Sequence, residues 1–258
     1  LIMIFTHLQG SNLRCLTHFS LTPVSGVNLL IGDNGAGKTS VIEAIHILGY
    51  GRSFRSRIRD GLIKQGCEQL QITARWQDNK QNNHQAGIQH NGSTWQARVD
   101  SENINQLGQF CAQFPILSFE PGSHELISGS SDVRRRFLDW ALFHVEPNFF
   151  PQWRRFSRAL KQRNALLKTN PSDHDLQAWD EELSDAGERI TQYRQNYLDS
   201  LLVQLKPIIQ TFLPECGQLQ IDYNPGWRNE QLCLLDMLRL NRDRDRQLGY
   251  STYGPHRA

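Results

Sequence analysis

Residues 31–40 read IGDNGAGKTS, and within them Gly32, Gly37, Lys38 and Thr39 fall in the spacing G-x-x-x-x-G-K-[ST]. That spacing makes a loop for phosphate. Glycine accepts positive φ without strain, so Gly32, Gly35 and Gly37 let backbone N–H groups converge on anionic oxygens. A helix following the loop would add its own N-terminal amides and the positive end of its dipole. Lys38 brings a point charge for the β- and γ-phosphates, and the Thr39 hydroxyl is placed to ligate Mg2+. The nucleotide-contact candidates are therefore Gly32, Asp33, Asn34, Gly35, Ala36, Gly37, Lys38, Thr39 and Ser40, with Thr39 as the metal ligand.

A hydrolase built on such a loop needs a further acid, normally at the end of an apolar strand. LCLLD (232–236) ends in Asp236, but Leu234, Leu235 and Leu238 follow a helical period, so the segment reads as an amphipathic helix. ILSFE (116–120) ends in Glu120, followed at once by Pro121 and Gly122, and reads as a strand end. Neither is assigned, and no catalytic residue is expected in this chain. A kinase-like phosphotransferase is the alternative on the same loop, with GRSFRSRIRD (51–60) as an arginine lid. A GTPase is not supported, because the sequence holds no N/T-K-x-D motif.

The elements that must position the loop can be read from periodicity. LIMIFTHL (1–8) and GVNLLIG (26–32) predict strands, the second apolar enough to be central in a sheet. KTSVIEAIHILGYG (38–51) predicts a helix closed by glycines. Segments 68–76, 84–90 and 93–99 alternate as antiparallel strands would. A helix is expected over 101–114 with Ser101 as its cap, and a short strand over 115–119. From about residue 123 the texture turns to long polar helices over 131–146, 151–168 and 175–205, the last ending near Pro207. A strand at 218–223, a helix at 229–247 and a strand running into a turn at 249–258 complete the expectation.

Composition narrows the function classes. The formal net charge is +2, so the molecule is no polycation, although 22 of its 28 basic residues are arginine, the residue suited to phosphate and carboxylate. Five scattered cysteines without a C-x-x-C pair indicate neither a disulfide framework nor a zinc site, and so a reducing cytoplasm. No apolar run reaches the roughly 18 residues of a membrane span. Charge separates sharply in the helical half. Nine Lys/Arg against two acids lie between Arg134 and Lys168, and seven acids with no Lys/Arg lie between Asp173 and Glu188. Two readings follow: a helical hairpin laced by salt bridges, or a basic face for nucleic acid. On the second, the candidate DNA contacts are Arg134, Arg154, Arg155, Arg158, Lys161 and Arg163. Arg135 and Arg136 are expected to pair with Asp132 and Asp139 instead.

NLLIGDNGAGKTSVIEAIHILGYGRSFRS (28–56) resembles the N-terminal segment of the RecF family, bacterial recombination-mediator ATPases related to the SMC class. GSSDVRRRFLDWALFHVEPNFF (129–150), LKQRNALL (160–167), WDEEL (179–183) and DRDRQLGYSTYGPHRA (243–258) are similar to later family blocks, in order. The resemblance implies an α/β fold: a P-loop NTPase lobe of ABC/SMC-like ATPase-head type with an inserted α-helical lobe. The implied boundaries are 1–122 for the first lobe, 123–248 for the helical lobe, and 249–258 returning to the first. It implies ATP and Mg2+ as cofactors, an ATP-dependent homodimer, duplex DNA and single-/double-strand junctions as targets, and RecO and RecR as partners in DNA repair and replication. Arg14 falls where the family has an arginine that contacts adenine or phosphate, although its neighbours Leu13 and Cys15 depart from the family motif. The family's L-S-x-G-Q signature and Walker B acids lie beyond the position of Ala258. The expectation is thus a truncated head that binds nucleotide without hydrolysing it alone.

Overall fold

In LQITARWQ (70–77) every second residue is apolar, and Leu70, Ile72, Ala74 and Trp76 all face inward in the computed structural model. The structure describes residues 3–55, 61–119, 121–216 and 220–258. They form two units, 1–120 and 121–258.

The first unit is built on a sheet of β1 (Ile4–Leu13), β2 (Leu16–Leu21), β3 (Leu70–Gln77), β4 (Asn83–His90), β5 (Trp95–Val99) and β6 (Glu102–Ile104). Their order is β2-β1-β3-β4-β5-β6, and each neighbouring pair is antiparallel. Helix α1 (Lys38–Tyr50) contributes Val41, Ala44, Ile47 and Leu48 to the core, and α2 (Leu107–Cys111) with the turn after it contributes Phe110 and Phe114. The expected strands at 68–76, 84–90 and 93–99 are present with small shifts at their ends.

Several expectations fail for identifiable reasons. GVNLLIG forms no strand: Val27, Leu29 and Ile31 are exposed, and Asn28 turns its side chain onto the backbone of Val24 and Gly26. An apolar run becomes a strand only where another strand takes its backbone bonds. Segment 115–119 likewise stays without a ladder. Ser101 does not cap a helix. Asp100 and Ser101 both have positive φ, and they close a two-residue hairpin that pairs Val99 with Glu102. Turn chemistry therefore outcompeted helical period. Strand β2, absent from the expectation, follows the tight turn at Arg14 and Cys15. Glu120 and residues 56–60 of the arginine-rich segment lie outside the described residues.

The second unit holds α3 (Glu125–Ser128), α4 (Ser131–Val145), α5 (Phe149–Leu167), α6 (Asp173–Phe212), α7 (Leu234–Leu240) and α8 (Arg242–Leu248). The start of α6 is fixed by a capping box between Ser172 and Asp175. The helix runs past Pro207, whose missing N–H falls in a solvent-exposed stretch where water can serve the freed carbonyl. Segment 229–247 is not one helix. It breaks at Asn241, whose amide donates to the Met237 carbonyl at 2.8 Å. Residues 220–223 form no strand. The core joins Phe149, Phe156, Leu183, Ile190, Leu234 and Leu238. A Cβ at Gly187 would stand 2.7 Å from the Leu234 side chain, so α6 and α7 approach as closely as they do only over a glycine.

Through this core runs a polar chain. Arg163 of α5 is fully buried and donates to Asp180 of α6 at 2.6 Å, Asp245 of α8 at 2.7 Å and the Ser251 hydroxyl at 2.8 Å. Arg242 closes on the other oxygen of Asp180. Asp245 also accepts from the backbone and hydroxyl of Thr252, and Asn164 accepts from the backbone and hydroxyl of Ser251. A second arginine, Arg194, forks onto Asp139 and donates to the Pro255 carbonyl at 2.7 Å. These bonds hold residues 251–258 within the second unit, where they form a short 3-10 turn at Pro255–Arg257 in place of the expected strand.

Breaking a buried pair strands the remaining charges, which costs about 3–5 kcal/mol. Arg163→Leu is therefore expected to destabilise the second unit by about that amount, and Arg163→Lys to rescue little, since one ammonium cannot reproduce the guanidinium fork. Urea melts followed by circular dichroism measure this, and a loss below about 1 kcal/mol would contradict it.

A pH effect follows from two histidines. Burial, followed by nearby arginines, pushes His46 and His256 from 6.5 down to about 4. Below pH 6.5 the unfolded imidazoles take up protons that the folded ones refuse until about pH 4, so stability should fall across that window. The melting temperature should drop as pH is lowered from 7 to 4.5, with a shallower slope in His256→Gln. A flat profile would refute the assignment.

Candidate nucleotide-binding site

The phosphate loop sits between two pieces of the first unit. Helix α1 begins at Lys38, immediately after Gly37, and the Val41 N–H to the Gly37 carbonyl at 3.0 Å is the bond that opens it. The amides before Val41 have no place in the helical ladder and are the loop's donors for an anion. Gly35 and Gly37 sit at φ 85° and 92°. A Cβ on Gly37 would stand 2.4 Å from Leu16, the first residue of β2, so the loop rests on that strand with no space between them. Within the loop, the Ala36 N–H donates to the Asp33 carbonyl at 3.2 Å.

Lys38 turns back over the loop. Its ammonium donates to the Gly32 carbonyl at 2.6 Å and the Asp33 carbonyl at 2.8 Å. Thr39 is exposed at the helix start, and Asp33, Asn34, Gly35 and Ala36 are also exposed. Ser40 is not: its side chain is buried in the core, so only its backbone can face a ligand. A cradle of positive-φ glycines, exposed amides, an ammonium and an exposed threonine hydroxyl fits a triphosphate with its metal.

Arg14, expected at the nucleotide, is engaged elsewhere. It lies in the β1–β2 turn at φ 56°, and its guanidinium forks onto Glu43 of α1 at 3.1 and 2.7 Å, with Ser53 at 3.3 Å. Glu43 is fully buried, and the Ser53 hydroxyl donates to it as well. Burial raises the carboxyl's pKa, yet the bonds from Arg14 and Ser53 outweigh it, leaving Glu43 below its ordinary value. Sequence reasoning missed Glu43, although the signal was there: a carboxylate among Val41, Ala44 and Ile47 on the apolar face of α1 requires a cation. The same turn brings the Cys15 thiol 3.9 Å from the Gly35 carbonyl.

In the second unit the basic candidates divide. Arg163 is sealed in the core, so its assignment to DNA is corrected: Asp180 and Asp245 demand a buried cation. Arg155 forks onto Glu182 at 3.0 and 2.8 Å and reaches Asp185 at 3.0 Å, so the salt-laced hairpin of α5 and α6 holds there. Arg134 donates to the Gly129 carbonyl. Arg135 and Arg136 pair with Asp132, as the sequence suggested, while Asp139 is taken by Arg194. Arg134, Arg154, Arg158 and Lys161 remain exposed along α4 and α5. Asp236 lies in the first turn of α7, exposed, as the helical spacing predicted.

Comparison with known proteins adds to this geometry. A family model described as an AAA domain matches residues 7–212. The DNA replication and repair protein RecF of Stenotrophomonas maltophilia (strain R551-3) is 50% identical over 260 residues, covering 99% of this chain and 71% of that protein. RecF of Aliivibrio fischeri is 39% identical over the same shares. The chain belongs to the RecF family. Among solved structures, the recombination mediator RecF with ATPrS superimposes with a TM-score of 0.88 at 26% identity, over 99% of this chain and 72% of that one. RecF with ATP gives 0.85 at 25% identity, over 99% and 71%. The α/β P-loop lobe and helical lobe are thus the RecF fold, and family membership sets the kinase-like phosphotransferase aside.

The Arg14 geometry makes a prediction of its own. Arg14→Ala leaves Glu43 buried without its cation and should destabilise the first unit by about 3 kcal/mol in the absence of any nucleotide. Thermal melts of the nucleotide-free protein measure it, and an unchanged melting temperature would show that the pair is not structural.

Proposed function

We propose that this chain binds ATP with Mg2+ at residues 32–39 and uses that site in DNA recombination and repair, as a RecF-type mediator acting on gapped or single-/double-strand DNA. The observation that carries the reading is the Lys38 ammonium lying across the Gly32 and Asp33 carbonyls, over a loop whose glycines are already at positive φ. A triphosphate is the ligand that would draw that ammonium off the two carbonyls, since a charged partner makes the stronger hydrogen bond. The Thr39 hydroxyl would hold Mg2+, which supplies charge neutralisation between the phosphates. The amides of the loop and of the first turn of α1 orient the anion, and Arg14 acts at one remove, by fixing α1 through Glu43. We assign no catalytic acid: Asp236 is a helix-surface residue, and Asp33 belongs to the loop itself.

The DNA reading rests on Arg134, Arg154, Arg158 and Lys161, which are exposed on α4 and α5. Contacts of this kind address phosphate without reading sequence. RecO and RecR as partners, ATP-dependent homodimerisation and a cytoplasmic setting complete the proposal. Among the described residues no helix is long and apolar enough to cross a membrane.

Two measurements test it. Titration with a fluorescent ATP analogue should show binding that Lys38→Ala weakens more than tenfold, and that Thr39→Ala makes indifferent to Mg2+, on the order expected for a lost charge-assisted contact. Equal affinity in Lys38→Ala would sink the nucleotide assignment. Affinity for duplex DNA should fall steeply as salt rises, with a logarithmic slope that drops by about 0.9 for each of Arg158→Ala and Lys161→Ala.

A further inference from the structure

The corner between α4 and α5 carries an aromatic group that the ATP and phosphate contacts leave unused. The rings of Phe150 and Trp153 lie nearly parallel, 12° apart, with centroids 6.4 Å from one another. Phe143 meets Phe150 edge-on at 5.2 Å. On Phe150 rests the guanidinium of Arg154, 6.0 Å from the ring centroid. The outer member, Trp153, keeps 39% of its surface exposed. An exposed tryptophan stacked on its neighbouring ring is a surface already in place before any partner arrives.

Beside the rings lie charges in helical register. Phe150, Arg154, Arg158 and Lys161 follow one another at intervals of four, four and three residues, so they share one side of α5. The stripe is about 16 Å long at 1.5 Å per residue. Arg154, Arg158 and Lys161 are exposed along it, with Arg158 only loosely near Glu182 at 3.6 Å. A rigid aromatic face next to a row of cations is the chemistry that binds a nucleic acid strand with its bases uncovered: rings stack on the bases, cations follow the phosphates. Duplex hides its base faces inside and can use only the cations.

We propose that Trp153, with Phe150 and Arg154, is a stacking platform for unpaired bases of single-stranded DNA, and that Arg158 and Lys161 hold the phosphates of the same strand. The proposal rests on the DNA-binding reading above and adds to it a base-contacting residue.

Three fluorescein-labelled 20-nucleotide probes test it by anisotropy: oligo-dT, a chain of abasic sites with the same phosphates, and a blunt duplex. Trp153→Leu should weaken oligo-dT binding about tenfold, the loss of one stacked base, and leave the abasic strand and the duplex within twofold. Trp153→Phe, which keeps a ring, should bind oligo-dT nearly as well as the parent. Arg158→Ala and Lys161→Ala should weaken all three probes alike. An equal loss on oligo-dT and abasic strand, or no loss on oligo-dT, overturns the platform while the phosphate contacts stand. Failure of the unsubstituted chain to bind any probe overturns both. If Trp153→Leu does not fold, the parent protein decides: photocrosslinking to 5-iodouracil-containing strands should place the adduct on Trp153 or Phe150, and an adduct found only elsewhere overturns the proposal.

Discussion

One guanidinium organises the helical unit. Arg163 is sealed from solvent, and its Nε and Nη1 donate to carboxylates on two other helices and to a hydroxyl in the C-terminal segment. A charge in that position is tolerable only with every partner in place, since desolvation of an unpaired cation would cost several kcal/mol. The positions of Asp180, Asp245 and Ser251 are therefore not independent. Three stretches of the chain, around 163, 180 and 245–251, must arrive together. Apolar packing among Phe156, Leu183 and Leu234 supplies much of the driving force, but such packing tolerates rearrangement. The directional bonds to Arg163 select one arrangement from those that apolar contact alone would permit.

The first unit applies the same logic on a smaller scale. The phosphate loop is a stretch of exposed backbone with few side chains to hold it, so its shape depends on what it leans against. Leu16 lies under Gly37, and Arg14 grips Glu43 one turn into the helix that follows. The arginine lies in the β1–β2 turn and the leucine opens β2. Arg14, which the family resemblance would place at the ligand, grips in this structure the helix whose first amides serve the loop.

Much of this was legible in the sequence where a local rule governs. The phosphate loop, α1, the alternating strands β3 to β5 and the long helices follow from spacing and period alone. The pairing of Arg135 and Arg136 with Asp132 follows from their one-turn separation. What escaped were outcomes decided at a distance. GVNLLIG has every property of a central strand except a strand beside it. Arg163 looks like its exposed neighbours Arg158 and Lys161 on a basic helix, and nothing local announces that Asp180 and Asp245 converge on it. Glu43 stood in plain view as a charge on an apolar face, but its partner lies 29 residues earlier, across a hairpin whose second strand was not foreseen.

The bond from Lys38 to the carbonyls of Gly32 and Asp33 has a consequence for energetics. The loop's own side chain lies across part of the cradle that the loop forms. A phosphate that drew the ammonium off these carbonyls would bind with the intrinsic affinity reduced by the fraction of time the ammonium stands clear. On departure of the phosphate the lysine has two acceptors ready within the same loop. To that extent the loop would be its own competitor for phosphate, with no second molecule involved.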